Sequence, residues 1–75
     1  MRNNRGQIEV KFRKELYSLA AIKESIKAYK EFAEFSLREE KNYFRVLIKK
    51  FPKELAVLIE PEFCNFVLFN MKRGF

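Results

Sequence analysis

Chemistry in this chain would have to come from one thiol and ten glutamates, because the sequence contains no histidine and no aspartate. That removes the commonest metal ligand and the commonest neutral-pH general base. Cys64 has no imidazole to activate it and reads as a packing residue. One thiol without imidazole also falls short of the usual zinc set of three or four N and S ligands. Glu39 with Glu40, and Glu60 with Glu62, flank a turn and a proline, where solvated carboxylates belong. Gly6 and Gly74 sit at the two ends and build no phosphate loop. The reading is non-catalytic, with no cofactor and no metal.

Binding chemistry is better represented. Lys11, Arg13, Arg38, Tyr43, Arg45 and Lys49 fall on alternate positions of three apolar-alternating segments, so they share the outer face of a sheet. Basic residues around an aromatic on an open sheet hold phosphates and stack a base in RNA-binding sheets. Glu9 and Glu34 share the face, however, and Tyr43 is its one aromatic, so a solvent-facing sheet with cross-strand charge pairs is the favoured reading and a weak, sequence-tolerant RNA or single-strand binder the alternative.

Those residues require three strands. In QIEVKFR, Ile8, Val10 and Phe12 alternate with Glu9, Lys11 and Arg13. AEFSLRE turns Ala33, Phe35 and Leu37 inward, and YFRVLIKKF sends Phe44, Val46 and Ile48 one way and Tyr43, Arg45, Leu47 and Lys49 the other. The turn EEKN joins these two as a hairpin, with Asn42 suited to a left-handed conformation. Between the first strand and the hairpin, Ser18 caps a helix running to Phe32, with Tyr17 closing over Ile22. Leu19, Ile22, Ile26 and Tyr29 form its apolar stripe, flanked by Ala21, Ser25 and Ala28.

The third strand is apolar at the most positions and takes the centre. The expected fold is α+β, β-α-β-β-α, a three-stranded mixed sheet of order 1-3-2 with helices on one face and a right-handed crossover through the first helix. The first strand is then an open edge to which a peptide could add. Pro52 suits the first turn of a segment after Phe51. Residues 53–60 are either helix or a fourth strand, with helix favoured by Lys53, Glu54, Leu55 and Ala56. Pro61 implies a break at Glu60 and a fresh helical start, and Gly74 ends that helix.

At about 100° per residue, Phe63, Cys64, Val67, Leu68 and Met71 make the core stripe of the last helix. Phe66 and Phe69 lie outside it, with Glu62 and Asn65 as neighbours. Burying each ring is worth about 1.5 to 3 kcal/mol, so two left in water point to a surface that self-associates. The expected assembly is a two-fold homodimer, the commonest oligomer. The alternative is that the helix lies deeper, or that Phe75 and residues 53–60 fold back over the rings.

The chain has 75 residues, 48% of them hydrophobic, with sixteen Lys and Arg against ten Glu for a net charge of +6. Residues 1–6 read as a mobile basic arm and 7–75 as one domain. A domain this small buries only about 60% of the surface its unfolded chain exposes, a shortfall that dimerisation relieves. The positive charge suits an anionic partner, although Glu accompanies Lys and Arg along most of the chain. High charge with a single Gln suits a heat-adapted organism. No run approaches the roughly 18 to 20 apolar residues of a membrane span, and MRNNRGQ leads into no signal-peptide segment. The expectation is therefore no membrane partner and a cytoplasmic, reducing location.

Tyr17-Ser18-Leu19 with Ala21-Ile22, and Glu62-Phe63, Asn65, Leu68 and Arg73, sit in an order of strand, helix, hairpin and helix. This arrangement resembles a family of small bacterial and archaeal proteins that includes the compact component of the His-Xaa-Ser peptide-maturation system. The resemblance spans nearly the whole chain after residue 7. It implies a stand-alone accessory or recognition domain whose protein or peptide partner would be a radical peptide-modifying enzyme. No catalytic signature is among the matched residues.

Overall fold

The computed structural model describes residues 6–75, so residues 1–5 of the expected basic arm lie outside the described residues. Strand β1 (Gln7–Arg13) is followed by helix α1 (Leu19–Tyr29), strands β2 (Glu34–Glu39) and β3 (Tyr43–Lys49), a 3-10 turn at Lys53–Leu55, and helix α2 (Ile59–Lys72). The sheet order is β1-β3-β2, which gives the β-α-β-β-α fold with the most apolar strand central. Both of its pairings are antiparallel, so the sheet is antiparallel throughout instead of mixed. β1 and β2 do run in the same direction, but β3 lies between them and they never pair.

Strict alternation decides which face is covered. Ile8, Val10, Phe12, Phe44, Val46 and Ile48 are all buried against the helical layer, together with Ala21, Ile22, Ile59, Phe63 and Val67. Their neighbours in sequence point to solvent because successive strand side chains take opposite faces. Phe63 is the hub of this core. Its ring lies 6.1 Å from Phe12 of β1, 5.1 Å from Phe35 of β2 and 5.9 Å from Tyr29 of α1.

Helix α1 begins where its cap dictates: the Ser18 hydroxyl accepts from the Ala21 N–H at 3.1 Å. It ends at Tyr29, three residues before the expected Phe32. Asn42 does not take the left-handed conformation; the hairpin closes through the Glu40 N–H donating to the Tyr43 carbonyl at 2.8 Å. Among the described residues the one non-glycine with positive φ is Lys50 (φ 56°), where the chain leaves β3 for Pro52.

Residues 53–60 are neither a full helix nor a strand: the 3-10 turn and Ala56–Leu58 lead straight into α2. No break falls at Glu60. Pro61 is the third residue of α2, where a backbone N–H would have no partner within the helix, so its missing donor costs nothing. Gly74 (φ 105°) ends the helix by a Schellman motif, with the Gly74 N–H donating to Met71 O and the Phe75 N–H to Asn70 O, both at 3.1 Å.

The early start changes which side of α2 faces inward. Its fully buried residues are Ile59, Phe63, Val67 and Asn70, turned roughly 75° about the axis from the expected stripe. Phe63 and Val67 are shared with that stripe and Cys64 and Met71 flank it half-buried, but Leu68 is exposed. Asn70 takes the inward place. Its Nδ2 donates to the Ser25 hydroxyl at 2.9 Å, and that hydroxyl donates to the Ala21 carbonyl at 2.8 Å. Small Ala21 and Ser25 let α2 approach α1 closely, and the amide satisfies a polar contact sealed from water.

Candidate partner-binding surfaces

Two solvent-facing surfaces contain the residues singled out by sequence. The first runs along the helical layer. From the Phe63 hub, Tyr29 leads outward to Phe66, whose ring is 5.5 Å away, and Phe66 stacks on Phe69 at 5.7 Å with 22° between planes. Tyr29 also meets Phe32 at 6.1 Å. The result is a continuous aromatic ladder, Phe32, Tyr29, Phe66 and Phe69, that emerges from the core. Phe32 and Phe69 are each 52% exposed, whereas Phe66 is half-buried between its neighbours.

Next to the ladder lies a cleft of about 260 Å³ lined by Tyr29, Phe32, Leu55, Leu58, Ile59 and Glu62. The 3-10 turn forms one wall of it, and Leu58 and Val57 remain exposed there. At the other end of the ladder the Arg73 guanidinium sits between two rings, 5.6 Å from Phe69 and 5.4 Å from Phe75. Neither Glu62 nor Arg73 makes an ion pair among the described residues. Burial, followed by the nearby Glu62 charge, raises the Tyr29 phenol above its ordinary value.

Of the four interface residues expected from sequence, the structure brings Glu62, Phe66 and Phe69 onto one side of α2. Asn65 is exposed and lies farther round the helix, with no side-chain hydrogen bond among the described residues. Arg73 and the cleft residues Phe32, Leu55 and Leu58 were not identified from sequence. Heptad-like spacing over Glu62, Phe66, Phe69 and Arg73 was the available signal for Arg73. The cleft depends on residues far apart in the chain and leaves no such trace.

The second surface is the open face of the sheet. The register aligns Lys11 of β1, Arg45 of β3 and Arg38 of β2 in one row across all three strands. Tyr43, 37% exposed, stands opposite Arg13, with the Lys11 ammonium 5.4 Å from its ring, and Lys49 stands between Gln7 and Glu34. All six basic-face residues named from sequence therefore share this face.

Part of its charge is internally matched. Arg45 contacts Glu9 through Nε at 3.0 Å and Glu40 through Nη2 at 3.0 Å. The first contact lacks a hydrogen-bonding angle, so the buried Nε is held by charge alone. Arg13 pairs with Glu15 at 2.8 Å, whereas the Lys14–Glu39 pair, at the same distance, lies on the Phe44 side of the sheet. Lys11, Arg38 and Lys49 remain without a carboxylate among the described residues.

Cys64 is half-buried beside the core, and burial, aided by the Glu60 charge, raises its thiol above the ordinary value, so it stays protonated at neutral pH. No group of three or more potential metal-ligating residues is gathered among the described residues. None of the described helices is long and apolar enough to cross a membrane.

Comparison of the chain with family models, curated proteins and solved structures finds no match.

Proposed function

We propose that this chain is a non-catalytic binding and assembly module that works as a homodimer and offers its remaining surface to a protein or peptide partner. The observation that carries this reading is the ladder. Phe69 is half in water although it stacks on a ring that leads back to the core hub. Aromatic side chains dominate interface energetics when a second surface seals them, and a small domain gains stability from that sealing. With the cleft beside it, the ladder is the kind of contiguous apolar patch that marks an interaction site. The resemblance to compact peptide-maturation components makes a radical peptide-modifying enzyme the partner class to assay.

The solution mass tests self-association directly. Multi-angle light scattering of the intact chain should give twice the monomer mass, and Phe69→Glu should return it to the monomer with unchanged circular dichroism. A monomeric wild type at concentrations of tens of micromolar ends this reading.

A second reading rests on the row of Lys11, Arg45 and Arg38. Three cations spaced across adjacent strands would track the phosphates of a single-stranded nucleic acid, with Tyr43 as a stacking platform. It ranks second because Arg45 is already matched by two carboxylates. Binding of a single-stranded RNA that weakens steeply with salt, and weakens further in Arg38→Ala, would favour it.

A further inference from the structure

We propose that two copies pair through their α2 helices in antiparallel orientation, with Glu62 of each copy meeting Arg73 of the partner subunit. This inference deepens the self-association reading and rests on it. Along α2 and its C-cap, Glu62, Phe66, Phe69 and Arg73 are separated by four, three and four residues. At about 100° per residue they fall within roughly 60° of one another, on a stripe about a quarter-turn from the buried one. Spacings that alternate between three and four residues make a coiled-coil seam.

The stripe has a further property: its spacing reads the same from either end, while its end charges are opposite. A two-fold axis between Phe66 and Phe69 therefore places Phe66 against the partner's Phe69 and Glu62 against the partner's Arg73, in both directions at once. An isologous interface requires that self-complementarity. A parallel pair would instead set Glu62 against the partner's Glu62 and Arg73 against the partner's Arg73, which like-charge repulsion opposes.

Arg73 is prepared for the role. Its guanidinium lies over the Phe69 and Phe75 rings, and among the described residues only Nη1 reaches a protein acceptor, Asn70 Oδ1 at 3.4 Å. A guanidinium held over aromatic rings and with donors to spare fits a carboxylate. Glu62 is exposed on the wall of the apolar cleft. The same antiparallel placement carries Phe75, 40% exposed, past Arg73 toward the level of that cleft in the other copy.

Charge reversal tests the pairing. Glu62→Arg and Arg73→Glu should each raise the dimer dissociation constant roughly tenfold or more, measured by sedimentation equilibrium. The combination E62R/R73E should restore it to near the wild-type value. Independently, in a Cys64→Ser background, mixing Glu62→Cys chains with Arg73→Cys chains should give a mixed disulfide dimer under mild oxidation, in preference to either symmetric product. A dimer indifferent to both reversals, or one cross-linking preferentially as the symmetric products, overturns the antiparallel pairing and leaves self-association standing. A wild type that is monomeric removes both. The cross-linking result decides the matter if a reversal variant does not fold.

Discussion

The two exposed aromatic surfaces differ in what surrounds their rings. On the sheet, Tyr43 is one ring among ionic groups, with the Lys11 ammonium over its face and the neighbouring Arg13 and Arg45 paired with carboxylates. On the helical layer, Phe66 and Phe69 stack on each other, connect inward through Tyr29 to the hub, and are flanked by Glu62 and Arg73, charges of opposite sign that make no ion pair among the described residues. The first surface is already in balance with water, since exposed ion pairs gain little and need nothing further. The second extends the core outward and stops at solvent. Exposure alone therefore does not identify a docking surface; what matters is whether the ring continues the core or is enclosed by charge.

The largest effect expected is loss of the element that both surfaces share. Phe63→Ala removes the contact point of β1, β2 and α1 and should cost about 3 to 5 kcal/mol, a large part of the stability of a domain this size, as urea unfolding would record. If it costs under 1 kcal/mol, the hub is not what supports the ladder.

Asn70→Ala should cost less, about 1 to 3 kcal/mol, because it opens the α1–α2 contact and strips Ser25 of its donor. Loss of that magnitude with the dimer retained would separate packing of the helices from docking on their outer side.

The contrast between the surfaces is sharpest in a matched pair of variants. Phe69→Glu should abolish the dimer while changing the stability of the monomer by only about 0.5 kcal/mol. Tyr43→Glu should alter neither mass nor stability by more than about that amount. Equal effects on the solution mass would erase the distinction. Phe66 is a poorer probe, because its half-buried ring also supports Tyr29.

The smallest effect concerns pH. Tyr29 and Cys64 both have their acid forms favoured by burial, with ordinary values of 10.0 and 9.0. The stability each contributes is full below those values, where folded and unfolded chains are equally protonated. It is lost as pH rises, because the unfolded chain ionises first. Thermal unfolding should therefore show a decline beginning near pH 9, and Cys64→Ser should delay its onset toward pH 10. A decline unaffected by that substitution would remove Cys64 from the account.

Several elements were legible because they depend on near neighbours. Alternation over QIEVKFR and YFRVLIK named the strand faces, Ser18 named the start of α1, Gly74 named the end of α2, and the apolar richness of β3 placed it in the middle. The start of α2 was misread because Pro61 breaks a helix interior yet is harmless within a first turn, and sequence does not say which position it holds. That displacement hid Asn70. Starting from Ile59, the series Ile59, Phe63, Val67 and Asn70 has helical spacing, and only the polar character of its last member disguises it as a core stripe.

By itself, the sequence determined the order of the three strands and two main helices, the two faces of the sheet, and the absence of histidine and aspartate chemistry. These follow from periodicity and composition, which the chain carries whatever its shape. Tertiary structure alone decided how far α2 is rolled about its axis, that an amide would enter the core to meet Ser25, and that Phe69 would remain in water beside a cleft. Those outcomes depend on how closely two helices approach, and that approach rests on small residues such as Ser25, 45 positions from the Asn70 it meets.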